Sequence, residues 1–101
     1  MDILVLEDKP KMAAALAKLL TSWNFQTVIA ADAECARTML FEQNFDLLLA
    51  DLDLGDSTSL GLIVQLRDSE RFVNLPILVM SGRVDKQVVV EASRQNVDGF
   101  L

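Results

Sequence analysis

The sequence predicts an α/β fold, a small open sheet of parallel strands wound with helices on both faces. Three observations predict it. Short apolar runs alternate with segments of helical spacing along the whole chain. Strands separated by helices of roughly 10 to 15 residues indicate βαβ units and a parallel sheet. The runs Ile3–Leu6 and Leu47–Ala50 are apolar without alternation, which suits central strands covered on both sides.

Each element follows from local pattern. Ile3–Leu6 reads as the first strand. Pro10 fits a first helical turn, and Met12, Leu16, Leu19, Leu20 and Trp23 recur on one face of the helix it opens. Phe25–Ala30 reads as the second strand. Asp32 is placed to cap a second helix that carries Ala33, Ala36, Met39 and Leu40 inward. Cys35, on that helix, reads as a small buried apolar residue. Asp46–Ala50 is the third strand. A third helix begins near Ser57–Ser59 and presents Leu60, Ile63, Val64 and Leu66. Pro76–Met80 is the fourth strand. Asp85 caps a fourth helix with Val88, Val89 and Ala92, and Val97–Leu101 gives a weaker fifth strand. Repeats, linkers and low-complexity stretches are absent.

Composition narrows the function classes. A chain of 101 residues makes one domain at most, and 51 % hydrophobic content marks it as globular. Fifteen acids against nine bases give a net charge of −6, a surface that repels nucleic-acid backbones and anionic membrane. The acids of DILVLE break the first apolar run too early for a signal peptide or a spanning helix, so a cytoplasmic location is expected. One cysteine offers neither a disulfide framework nor a zinc set.

In open doubly wound sheets the ligand site lies outside the carboxyl ends of the strands. Here the first strand ends in Glu7-Asp8, the third in Asp51 and the fourth in Ser81-Gly82. In the common order 2-1-3-4-5 these strands are neighbours, so three carboxylates and a hydroxyl converge. Like charges so close repel, and a bound cation relieves them. Carboxylate oxygens, a backbone carbonyl and waters form an octahedral site suited to Mg²⁺ or Mn²⁺. A carboxylate beside such a cation can attack a phosphoryl group. Taken singly, each acid also has an ordinary explanation, as a cap on the helix that follows.

The stretches ILVLED at 3–8, DLLLADLDLGDSTSLGLI at 46–63, PILVMSGR at 76–83 and NVDGFL at 96–101 together resemble the receiver domain of two-component response regulators, the CheY-like superfamily. The resemblance implies a flavodoxin-like five-stranded sheet in the order 2-1-3-4-5. It implies a domain over 1–101 that accepts a phosphoryl group from a sensor histidine kinase or phosphotransfer protein and switches protein contacts. It further implies Asp51 as the phosphoacceptor. Asp8 becomes a direct metal ligand, Glu7 acts through water, and Asp53 offers its backbone carbonyl to the metal. Ser81 becomes the hydroxyl that turns towards the phosphate, and Phe100 the aromatic that reports the switch. Gly82 and Arg83 stand at the pocket's lip.

Several departures stand beside the resemblance. Glu7 replaces the commoner aspartate. The turn LGDSTS lacks the family's proline, and Asp53 adds a negative side chain at the lip. The family's lysine falls two residues beyond Leu101 and its fifth helix follows, so a chain of 101 residues is expected to leave one sheet face bare and to form a homodimer or swap elements. The expected setting is an N-terminal receiver with an output domain beyond the chain, or a receiver that stands alone. Two alternatives compete: a phosphorylation-independent pseudo-receiver, and a haloacid dehalogenase-type phosphohydrolase, whose DxDx[TV] start DLDLG at 51–55 resembles.

Overall fold

The computed structural model describes residues 1–82 and 85–101. Its elements are β1 (Asp2–Leu6), α1 (Pro10–Ser22), β2 (Gln26–Ala30), α2 (Ala33–Glu42), β3 (Leu47–Asp51), α3 (Leu60–Arg67), β4 (Ile77–Met80), α4 (Lys86–Ser93) and β5 (Gly99–Phe100). The five strands are parallel and lie in the order β2-β1-β3-β4-β5, as expected. Element ends shift by a residue or two: Phe25, Asp46 and Pro76 fall just before their strands, and Asp51 belongs to β3. Among the described residues no helix is long and apolar enough to cross a membrane.

The two faces of the sheet differ. Leu4, Leu6, Leu48, Ala50, Ile77 and Val79 pack with Ala36, Leu40, Leu62, Ile63, Leu66 and Ala92, so α2, α3 and α4 cover one face with a large core. On the other face Ile3, Val5 and Leu49 form a small buried cluster beneath Leu16 and Leu20 of α1, and Leu47, Leu78 and Met80 are only partly covered. The alternation of side chains along a strand therefore assigns successive residues to cores of unequal size.

Helix ends show their chemistry. Asp32 accepts a hydrogen bond from the Cys35 N–H at 2.7 Å, and Asp85 accepts one from the Gln87 N–H at 3.1 Å, so both expected caps are present. α1 closes on Asn24, which adopts φ 67°. The N–H groups of Phe25 and Asn24 donate to the carbonyls of Leu20 and Thr21, the Schellman arrangement that a left-handed residue permits.

Two side-chain expectations need correction. The apolar stripe of α1 is wider than its contact: Met12, Leu19 and Trp23 are exposed, whereas Ala13 is buried and Leu16 and Leu20 face the sheet. Successive helical residues turn by roughly 100°, and the exposed three fall to one side of the Ala13–Leu16–Leu20 line. Cys35 is exposed rather than buried, because it precedes by one position Ala36, which points into the core.

At the end of the sheet where β4 begins, Arg67 draws the loops together. Its guanidinium donates to the carbonyls of Gln95, Phe72, Val73, Leu75 and Asn96 and lies 3.7 Å from Asp98. Asp98 in turn accepts from the Ile77 N–H at 2.7 Å. The Arg67 side chain is only 10 % exposed, so deleting it leaves the partly buried carbonyls of Gln95, Phe72 and Leu75 without this donor. Arg67→Ala is expected to cost about 3 kcal/mol in urea unfolding, and Arg67→Lys to recover less than half, since an ammonium has three donors and no planar fork. A loss below about 1 kcal/mol would mean that water serves these carbonyls equally well.

Candidate metal centre

Register builds the site. Leu6 pairs with Ala50, and Asp51 pairs with Met80, so the residues that end β1, β3 and β4 stand side by side. Ile3 and Val5 share the α1 face with Leu49. Side chains alternate with period two, so Glu7 and Asp51 continue that face. That placement makes Glu7 the more buried acid of its pair, 3 % exposed, with Asp51 at 8 %.

Glu7, Asp8 and Asp51 each bring one carboxylate oxygen to within 4.8 Å of the others. The Glu7 carboxyl is pushed from 4.5 up to about 7. Burial is the main cause. The neighbouring Asp51 carboxyl adds hydrogen bonding and charge repulsion, Asp8 contributes by hydrogen bonding, and the Lys9 N–H opposes the rise by favouring the ionised form. Asp51 is held from the other side, its Oδ1 accepting the Asp53 N–H at 2.9 Å.

A cavity of about 190 Å³ opens on the cluster, lined by Glu7, Lys9, Met12, Asp51, Asp53, Met80 and Gly82. Glu7, Asp51, Asp53 and Gly82 therefore meet as the sequence suggested, with Asp8 in the same cluster. Ser81, between Met80 and Gly82, does not line the cavity, and neither does Phe100, which is exposed on β5. Arg83 lies outside the described residues.

Sequence reasoning missed Lys9, Met12, Met80 and Gly55. The loop after β3 is closed by the bridge between Asp53 and Thr58 and by the Leu54 N–H donating to the Ser57 carbonyl. Gly55 sits in it at φ 81°, where a Cβ would approach Asp8 Oδ2 to 3.3 Å. Its N–H donates to Asp53 Oδ1 at 2.9 Å. The glycine of LGDSTS was the available signal: it supplies the left-handed turn that a loop without proline needs here.

Residues 3–101 match the family model described as the response regulator receiver domain. The chain belongs to that family. The receiver is 30 % identical over its full length to a chemotaxis protein CheY of Pseudomonas aeruginosa, covering 82 % of it. It superposes with TM-score 0.91 on a response regulator receiver protein from Pseudomonas putida, at 35 % identity, covering 99 % of this chain and 83 % of that one. At 20 % identity, with TM-score 0.86, it shares its fold with the receiver domain of a sensor histidine kinase from Pseudomonas aeruginosa, covering 99 % of this chain and 82 % of that one. That domain was solved with a magnesium ion coordinated in the active-site cleft.

The receiver's acids fit a divalent cation on this structure's own terms. With the carboxyls ionised, buried Glu7 Oε2 and Asp8 Oδ1 have no donor to accept from, a costly state for buried polar atoms, and an all-oxygen set matches Mg²⁺.

The raised Glu7 carboxyl fixes the sign of a pH effect. Between pH 4.5 and about 7 the folded chain keeps a proton on Glu7 that the unfolded chain has released. Folding thus takes up a proton, and raising pH through that window removes stability from the metal-free protein. Thermal melts without Mg²⁺ should therefore show wild type losing ground to Glu7→Gln from pH 5 to pH 8. Parallel curves would show that Glu7 titrates normally. Gly55→Ala should lower the melting temperature through its strained φ and, by crowding Asp8, weaken Mg²⁺ binding several-fold in calorimetry. Unchanged Mg²⁺ affinity would separate the loop from the site.

Proposed function

We propose that Asp51 accepts a phosphoryl group in a Mg²⁺-dependent reaction and that the receiver thereby switches protein contacts in a phosphorelay. The observation that carries this reading is the cluster of Glu7, Asp8 and Asp51, drawn together within 4.8 Å with buried, unpartnered oxygens. A domain kept only for protein contacts has no need of such a cluster, which lowers its stability. The magnesium seen in the related sensor-kinase receiver domain and the receiver family as a whole support the same assignment. Membership of a family of signalling phosphoacceptors also weighs against the phosphohydrolase alternative.

Asp8 and Asp51 would hold the cation through their carboxylates, Asp53 would offer its backbone carbonyl, and Glu7 would act through water. Bound there, Mg²⁺ supplies positive charge that neutralises the acids and the transferring oxygens. An Asp51 carboxylate oxygen attacks phosphorus. The new P–O bond forms as the bond to the donor breaks, and the leaving group departs with the electron pair. The Asp53 N–H on Asp51 Oδ1 fixes the carboxylate plane and leaves the other oxygen to react. Ser81 then turns its hydroxyl towards the phosphate, and Phe100 on β5 reports the change at the surface. The donor is a sensor histidine kinase or a phosphotransfer protein, with the response passed to an output domain.

Intact-mass spectrometry after incubation with acetyl phosphate tests this. The expected result is a gain of one phosphoryl group that requires Mg²⁺ and is absent in Asp51→Asn. No gain in wild type, here and in a chain extended at its carboxyl end, would favour the phosphorylation-independent alternative.

A further inference from the structure

We infer that Lys9 supplies the cation that holds the phosphoryl donor's oxygens at the mouth of the acidic cavity. This rests on the reading of Asp51 as phosphoacceptor and adds to it a residue that contacts the donor.

The charge inventory of the cavity is lopsided. Its lining carries the carboxylates of Glu7, Asp51 and Asp53, with Asp8 beside them, and among the described residues one cationic side chain, Lys9. A phosphoryl donor such as acetyl phosphate is itself an anion. Asp8, Asp51 and Asp53, joined by Glu7 when it ionises, repel it, and one divalent ion does not fully offset them. An ammonium at the mouth lowers that barrier at short range.

The backbone of Lys9 is fixed while its side chain is not. Its N–H favours the ionised Glu7 carboxylate, and its carbonyl accepts the Ala13 N–H at 2.9 Å. It stands as the extended residue before α1, with φ −89° and ψ 113°, and Pro10 follows at the first helical position. The Cα is thereby pinned beside the acids. The side chain is exposed and, among the described residues, makes no ion pair. Lys9 also borders an open hollow of about 780 Å³ with Asp8, Pro10, Lys11, Met12 and Ala15, so its side chain is not packed in. A flexible stem with three rotatable donors suits an incoming anion that must be caught and then released.

Such a cation has a signature that a packing role lacks. It attracts the donor and repels Mg²⁺, so its removal shifts the two in opposite directions. The experiment follows labelling by acetyl phosphate at saturating Mg²⁺ with intact-mass spectrometry, and Mg²⁺ affinity by calorimetry. It compares wild type, Lys9→Gln, Lys9→Arg and Lys11→Gln. Lys9→Gln is expected to label roughly five- to tenfold more slowly, with Mg²⁺ affinity unchanged or tighter and the melting temperature preserved. Lys9→Arg should keep most of the rate, and Lys11→Gln should match wild type. Equal rates in wild type and Lys9→Gln overturn the inference while leaving Asp51 phosphorylation standing. So does a slow Lys9→Gln that also binds Mg²⁺ more weakly or melts lower. A wild type that takes no phosphoryl group, here and in a chain extended at its carboxyl end, overturns the inference and the phosphoacceptor reading together.

Discussion

Buried like charge is the constraint around which this molecule is arranged. The parallel register that pairs Leu6 with Ala50 and Asp51 with Met80 brings Glu7 and Asp51 together at the end of the sheet, where both are almost fully buried. Desolvation, with hydrogen bonding and repulsion from Asp51, pushes the Glu7 carboxyl up to about 7. Backbone donors answer part of the cost: the Lys9 N–H at Glu7 and the Asp53 N–H at Asp51. The remaining buried oxygens stay unpartnered. A site in this condition gains more from a small divalent cation than one with satisfied acids would.

The rest of the fold holds that arrangement in place. Most of the apolar core lies on the face covered by α2, α3 and α4, away from the acids. The α1 face, which ends in them, has a core of three buried residues with Leu47, Leu78 and Met80 half-covered. Side-chain alternation couples this face to the other: a slip of one residue in β1 or β3 would exchange core for acids. Arg67 secures the opposite end of the sheet through carbonyls from the loop before β4 and the turn after α4.

The loop after β3 shows how a family site accommodates a different local sequence. Without the proline, the turn closes through the Asp53–Thr58 bridge and through Gly55 at positive φ, packed against Asp8. The Asp53 side chain is tied to the Gly55 N–H and still lines the cavity. It adds negative charge at the entrance, where Lys9 is the opposing charge among the described residues.

Much of this was legible in the sequence because it depends on short-range rules. Apolar runs against helical spacing identified the strands and helices, Asp32 and Asp85 announced their caps, and the acids after the first and third runs marked the site. What sequence periodicity left undecided was rotation and reach. Met12, Leu19 and Trp23 look as apolar as Leu16 and Leu20, yet only contact with the sheet distinguishes them; Cys35 is exposed because Ala36 takes the inward direction. Arg67 resembles any surface arginine until five carbonyls from distant loops close on it. Lys9 resembles a solvated helix-start residue until β1 and β3 are placed side by side. The sequence by itself determined which residues carry charge and which strands they end. Only the tertiary structure decided which charges share a cavity, because that follows from strand order and register, which are set by contacts far apart along the chain.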